Sequence, residues 1–169
     1  MSERKPIRIR PAIEEDVPAL LAMVRALAAD EGRAEAITAT EADWLRDGFG
    51  TQPRFATLVA EADGRAVAMA SFTELYLAIV AKPSFYILEL YVEPDFRRRG
   101  IGRALLSQIA AAALKIGVPL IHLGARENND ATRFYRRLGF NKVERYATYT
   151  LTGPAFVKLA ATAPQGKAG

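Results

Sequence analysis

Glu89-Leu90-Tyr91-Val92-Glu93-Pro94-Asp95-Phe96-Arg97-Arg98-Arg99-Gly100-Ile101-Gly102-Arg103 is the stretch whose reading decides the fold. It closes an alternating apolar run that reads as a strand and breaks at Pro94. It then turns through three arginines and two glycines into a long apolar-periodic segment that reads as a helix. Strand, basic glycine turn and helix together make a site for an anion. The first N–H groups of a helix have no internal acceptor, and the helix dipole favours negative charge beside them. Gly100 and Gly102 carry no Cβ, so the backbone can approach phosphate oxygens closely. Arg97, Arg98, Arg99 and Arg103 add charge and fork-shaped donors. Two familiar nucleotide loops do not fit. A Walker A loop needs Gly-Lys-Ser/Thr where this chain has Gly-Ile-Gly-Arg, and a dinucleotide fingerprint needs a small residue where it has Leu105.

The totals bound the function. At 169 residues the chain is expected to form a single domain, residues 1–169, with a real core. It holds no cysteine, which excludes thiol catalysis, disulfides and cysteine metal sites. With His122 as the one histidine, no metal centre is expected. The first residues lack an apolar signal core and no run reaches membrane-spanning length, so a cytoplasmic protein without a membrane partner is expected. The net charge of +4 sits largely in the arginine cluster assigned to a small anion, and no nucleic-acid partner is expected.

Outward from the loop, Ile7 to Arg10 alternates as a first strand that Pro11 ends. Asp16 and Pro18 open a helix whose apolar residues Val17, Leu20, Leu21, Val24 and Leu27 recur at helical spacing, with Gly32 as its stop. Asp30, Glu31 and Glu35 follow as an acidic cluster. It reads either as a solvated helix end or as the counter-charge for a cationic substrate. Thr40 to Asp43 has the form of a capping box before a short helix with Trp44. Phe55 to Glu61 and Arg65 to Leu77 read as a hairpin about Asp63-Gly64. Pro83 interrupts, and Phe85 to Val92 is the central strand, with Phe85, Ile87, Glu89 and Tyr91 on one face. Glu89 is a carboxylate in an apolar strand, either a ligand for a substrate amine or a strand-end residue facing solvent. Pro119 to Ala125 reads as a last strand.

A second motif is Asn128-Asn129-Asp130-Ala131-Thr132-Arg133-Phe134-Tyr135-Arg136-Arg137-Leu138-Gly139-Phe140. Asn128 stands where a helix cap belongs and Gly139 where a helix stops. Asn128 and Tyr135, about two turns apart, lie near one helix face.

Together the two motifs resemble the GNAT superfamily of acyl-CoA-dependent N-acetyltransferases. Arg97, Gly100 and Gly102 match its pyrophosphate loop, Leu90 and Val92 its strand before the loop, and Asn128, Ala131, Tyr135, Gly139 and Phe140 its following helix. Weaker segments, among them Ile9 to Ala12, Leu27 to Glu41, Asp47 to Gly50, Tyr86 to Val92 and Phe156 to Ala160, are similar to the spermidine/spermine (diamine) N-acetyltransferase branch. The resemblance implies an α/β (α+β) fold with a mixed, mostly antiparallel sheet flanked by helices. The sheet would splay beside the central strand where acetyl-CoA enters.

The implied reaction is acetyl transfer from acetyl-CoA to the primary amine of a small diamine, polyamine or lysine-like molecule. Leu90, Tyr91 and Val92 would supply backbone to the cosubstrate, with an oxyanion donor among them. Arg97, Arg98, Arg99, Gly100, Ile101, Gly102 and Arg103 would cradle its pyrophosphate, and Asn128 and Ala131 would flank its pantetheine arm. Tyr135 would give the leaving thiolate a proton or a hydrogen bond, and either Glu89 would take the amine proton through a water or the amine would lose it to bulk water on entry. Glu31, Glu74 and Glu89 would hold a cationic substrate. Leu88 stands where the polyamine branch has a glutamate, which puts that substrate in question. A homodimer through the C-terminal region is also implied. Three rival readings remain: a protein N-terminal or lysine acetyltransferase, an acetyl-CoA-binding sensor without turnover, and a nucleic-acid binder using the arginine cluster.

Overall fold

A computed structural model describes residues 6–126, 130–144 and 151–162. The chain divides into two compact units, Met1–Asn129 and Asp130–Gly169. The first carries a sheet in the order β1-β2-β3-β4-β5. Its strands are β1 (Arg8–Pro11), β2 (Ala56–Ala62), β3 (Arg65–Leu77), β4 (Lys82–Val92) and β5 (Ile121–Leu123). The first three pairings are antiparallel, and β4 with β5 is parallel. This is the mixed, mostly antiparallel sheet that the sequence led us to expect. Helix α1 (Val17–Asp30) and the short α2 (Glu41–Trp44) follow β1, and α3 (Ile101–Lys115) connects β4 to β5.

Local chemistry explains most of the boundaries. Asp63 and Gly64 both take positive φ, +52° and +78°, as a two-residue type I′ turn requires. The box at Thr40 forms: its hydroxyl accepts the Asp43 N–H at 3.2 Å, and the Asp43 carboxylate accepts the Thr40 N–H at 3.0 Å. Pro83 does not stop β4, which begins at Lys82. The N–H of Phe85 points to β5, at 2.9 Å from the Leu120 carbonyl. Pro83 has the same parity, so its missing donor would have faced the edge where β5 has not yet begun to pair.

The face assignment of β4 needs correction. Ser71 pairs with Glu89, but the next residue, Phe72, pairs with Ile87, so Leu88 is an extra residue in β4. Neighbours on β3 point to opposite faces. Glu89 and Tyr91 therefore share one face, while Ile87 and Phe85 lie on the other, where Phe85 meets Phe72 at 4.9 Å between ring centroids. Alternation read from the sequence cannot show such an inserted residue.

Tyr91, Met69 and Val59 pack with Val17, Leu20, Leu21, Val24 and Trp44 into one core under α1. Helix α3 buries Ile101, Leu105, Leu106 and Ile109 and lies against β1 to β4, sharing no residue with that cluster. It covers the other face, where Ala60, Ala68 and Ala70 leave room for a helix.

Asp16 is not the helix cap its position suggested. A 3-10 turn, Glu14–Asp16, runs directly into α1, so Asp16 has helical backbone angles and its side chain does not cap α1. The carboxylate instead takes the Arg10 guanidinium at 2.6 and 3.0 Å and the Ile13 N–H at 2.8 Å. Arg10 also donates to Glu61 at 2.6 Å. The Arg10 hydrogen bonds hold the Asp16 carboxyl below its ordinary pKa. Asp16→Ala should lower stability by about 2–4 kcal/mol at neutral pH, because it leaves a largely buried guanidinium with Glu61 as its one carboxylate partner. Denaturant titration measures this. The contribution is present above the ordinary carboxylate pKa and is lost as pH falls through the lower native value, so the difference from wild type should shrink in acid.

The second unit contains α4 (Ala131–Arg137) and α5 (Gly153–Ala160). Helix α4 ends in a Schellman turn: Gly139 has φ +93°, its N–H reaches the Arg136 carbonyl, and the Phe140 N–H reaches the Tyr135 carbonyl at 3.1 Å.

Candidate functional site

Past the inserted Leu88, β4 has an edge that no strand among the described residues covers. β5 pairs with it only from Phe85 to Ile87, whereas β4 runs on to Val92. The direction of the remaining backbone groups follows from the ladder. Glu93 donates to the Val67 carbonyl at 3.0 Å, so Glu93, Tyr91 and Glu89 turn their N–H and C=O groups toward β3. Leu90 and Val92 turn theirs the other way, to an edge without a strand among the described residues. These are backbone donors of the kind that polarise an acyl oxygen. Tyr91 leaves the group of cofactor contacts expected from sequence, since its side chain is in the core and its backbone is spent on β3.

The loop after β4 turns sharply into α3 and leaves backbone donors open. Pro94–Phe96 form a single 3-10 turn, Arg98 adopts φ +59°, and Gly100 takes φ +79° just before α3. No atom lies within 4 Å of a Cβ built on Gly100, so the glycine is required by its backbone angle. The first bond into the helix runs from Ala104 N–H to the Gly100 carbonyl at 3.0 Å, which leaves the N–H groups of Ile101, Gly102 and Arg103 without helical acceptors. No acidic residue stands in the first turn, no side chain caps it, and Arg98, Arg99 and Arg103 are exposed around it. Arg97 has a different role. Its Nε donates to the Val92 carbonyl at 2.9 Å, its Nη2 to Asp30 at 2.9 Å, and its guanidinium lies 5.5 Å from the centre of the Tyr91 ring. Arg97 braces the loop against β4 and α1.

On the α1 face the sheet changes character at Glu89. The rung Val59–Met69–Tyr91 is apolar and the next rung, Thr57–Ser71–Glu89, is polar. Thr57 and Ser71 are only 8% and 1% exposed, and the Thr57 hydroxyl has no hydrogen-bond partner among the described residues. Burial pushes the Glu89 pKa up; the nearby Arg33 guanidinium pulls it down and the Glu31 carboxylate pushes it up again. A carboxylate destabilised in this way has a raised affinity for a proton, as a base working near neutrality needs.

Glu31 stands close by, but it is already engaged. Helix α1 ends in a Schellman turn at Gly32, φ +68°, in which Arg33 N–H bonds the Ala28 carbonyl at 2.7 Å. The turn presents Glu31 and Arg33 together, and Arg33 grips the Glu31 carboxylate through Nε at 2.9 Å and through Nη2. Arg126, just beyond β5, donates to the Glu31 main-chain carbonyl. Glu74 does not join this group. It is exposed and pairs with Phe85, on the sheet face opposite Glu89. Arg33, Arg126, Thr57 and Ser71 are the residues that sequence reasoning missed; only the Gly32 helix stop hinted at where Arg33 would lie.

Tyr135 and Ala131 belong to the second unit. Ala131 is the first residue of α4, and the Tyr135 ring packs 5.3 Å from Phe134 and 5.7 Å from Phe140. Asn128 lies outside the described residues; Asp130 occupies the position before the helix.

Residues 21–140 match the family described as Acetyltransferase (GNAT) family. The chain is similar to the thialysine N-epsilon-acetyltransferase of Sus scrofa, at 30% identity over 91% of this chain and 97% of that protein. It is also similar to the human spermidine/spermine N(1)-acetyltransferase-like protein 1, at 31% identity over 68% of this chain and 17% of that longer protein. An integron cassette protein from the mobile metagenome of V. cholerae has the same fold, with a TM-score of 0.76, 20% identity, and coverage of 92% of this chain and 98% of that one.

Proposed function

The chain belongs to the GNAT acetyltransferase family, and from that premise we propose that it acetylates the primary amine of a small lysine-like molecule or diamine. The observation that carries the proposal is the free edge of β4 between a half-buried Glu89 and the open N-terminus of α3. Acetyl-CoA, the cosubstrate of the family, supplies an acetyl thioester and a pyrophosphate. The residues present suit both. The N–H groups of Ile101, Gly102 and Arg103, with Arg98, Arg99 and Arg103 around them, receive the pyrophosphate. Arg97 holds the loop in register with the strand. The outward N–H of Leu90 or Val92 stabilises charge on the acyl oxygen.

An alkyl ammonium has a pKa of about 10.4, so roughly one molecule in a few thousand is neutral at pH 7. Glu89 removes the proton, directly or through one water, and leaves the lone pair free to attack. The nitrogen gains the acetyl group, the thioester C–S bond breaks, and the departing sulfur takes a proton from Tyr135. Asn128 and Ala131 flank the cosubstrate arm near that tyrosine. The chain is one family domain, a reading supported by the family match, which runs from residue 21 to residue 140. The enzyme works in the cytoplasm, where acetyl-CoA is available. It pairs as a homodimer, supported by Phe156, Val157 and Leu159 of α5, which are 57%, 66% and 61% exposed.

Thiol release from acetyl-CoA over a panel of lysine, diamines, polyamines and an N-terminal peptide tests the assignment. Release with a free amine and not with the peptide is the expected result. Tyr135→Phe should lower kcat by about 100-fold or more, within the range of a lost proton donor, with little change in acetyl-CoA affinity. Equal loss of both would make Tyr135 a structural residue.

A further inference from the structure

The acidic residues at the end of α1 are neutralised by the chain's own arginines. Arg97 holds Asp30 at 2.9 Å, and Arg33 holds Glu31 through two nitrogens. Arg126 bonds the carbonyl of the same Glu31, so one residue gathers two guanidiniums from two parts of the fold. Arg33 uses Nε and Nη2 for that pair; the Nη1 edge of its fork makes no hydrogen bond among the described residues, and its side chain is 51% exposed. Arg33 and Glu31 both act electrostatically on Glu89. Glu31 thus draws two guanidiniums, Arg33 and Arg126, to the end of α1, and Arg33 and Glu31 in turn act on Glu89.

That balance does not suit a polyamine, whose charges at neutral pH are all positive and which would meet two arginines with no group to offer them. It suits a molecule that carries a carboxylate as well as the reacting ammonium. A planar guanidinium fork is the side chain best matched to a carboxylate. We propose that Arg33 and Arg126 bind a carboxylate on the acceptor, so that the substrate is an amino acid with a terminal side-chain amine rather than a diamine or polyamine. This rests on the amine-acetylation reading above and narrows it. Glu31 then serves to hold Arg33 in place beside Glu89.

L-Lysine and cadaverine, which differ only in the carboxylate, separate the possibilities. With full-length protein and acetyl-CoA, kcat/KM for lysine should exceed that for cadaverine at least about tenfold, the value of a charge-assisted hydrogen bond. Arg33→Gln should bring the ratio to within about twofold, mainly by raising KM for lysine, and Arg33→Lys should keep part of it. Arg126→Gln, on a different element, should lower the same ratio; thermal melts establish that each variant is folded. Wild-type turnover of cadaverine equal to or faster than lysine overturns the proposal and leaves amine acetylation standing. A ratio unchanged in both folded variants also overturns it. Thiol release with neither amine overturns both.

Discussion

Gly102→Glu is expected to weaken acetyl-CoA binding by at least about 100-fold, which corresponds to about 2.7 kcal/mol, without lowering the melting temperature. The two halves of that result have opposite electrostatic signs. Gly102 is the second residue of α3, in a turn with no acidic side chain and no cap. A glutamate there is favourable for the empty helix, since it complements the dipole and replaces the residue with the poorest helix propensity after proline. For the cosubstrate it is unfavourable. It places a negative charge and a side chain where free N–H groups and three exposed arginines would otherwise receive the pyrophosphate. Isothermal calorimetry with CoA reads the first effect and a thermal melt the second. Gly102→Ala, which adds a methyl group and no charge, should lose far less affinity, and the difference between the two variants isolates the charge. A glutamate variant that binds CoA with wild-type affinity would remove this loop from the site.

The parts of this molecule that were legible in its sequence are those set by local chemistry. The Asp63-Gly64 turn, the box at Thr40 and the Gly139 stop each depend on a few adjacent residues, and each stands where its residues require. The turn after β4 and the start of α3 were legible for the same reason, because Pro94, the two glycines and the apolar helix that follows are contiguous. What sequence did not convey depends on pairing between distant segments. The inserted Leu88 is visible only against β3, yet it decides which residues share a face with Glu89. Asp16 looked like a cap because nothing near it announces Arg10 as a partner. The acidic cluster at Asp30 and Glu31 looked available for a cation because Arg97, 67 residues away from Asp30, is one of its partners. Arg97 itself, read as a phosphate ligand, is held by a carbonyl, a carboxylate and an aromatic ring instead.

Glu89→Gln should lower kcat/KM at pH 7 by about 100- to 1,000-fold, within the range of a lost general base, and should change the shape of the pH profile. In the wild-type enzyme, activity falls as pH drops below the Glu89 pKa, which burial has raised above the ordinary carboxyl value. The variant has to wait for amine that is already neutral. Its rate should therefore climb about tenfold per pH unit toward the amine pKa near 10.4, so the two curves converge in alkali. The same substitution should raise stability at pH 7. A carboxyl with a raised native pKa favours the fold while protonated, and that advantage is lost as pH rises through the raised value. Glutamine keeps the shape of the protonated acid at every pH. The variant should melt above wild type at pH 7, and the gap should close below about pH 4, where the wild-type residue is protonated in both states. Slower turnover with higher stability identifies a charge held at the site for chemistry. Slower turnover with lower stability would instead make Glu89 part of the packing around Ser71 and Thr57, and the proton would then leave the amine in bulk water before binding.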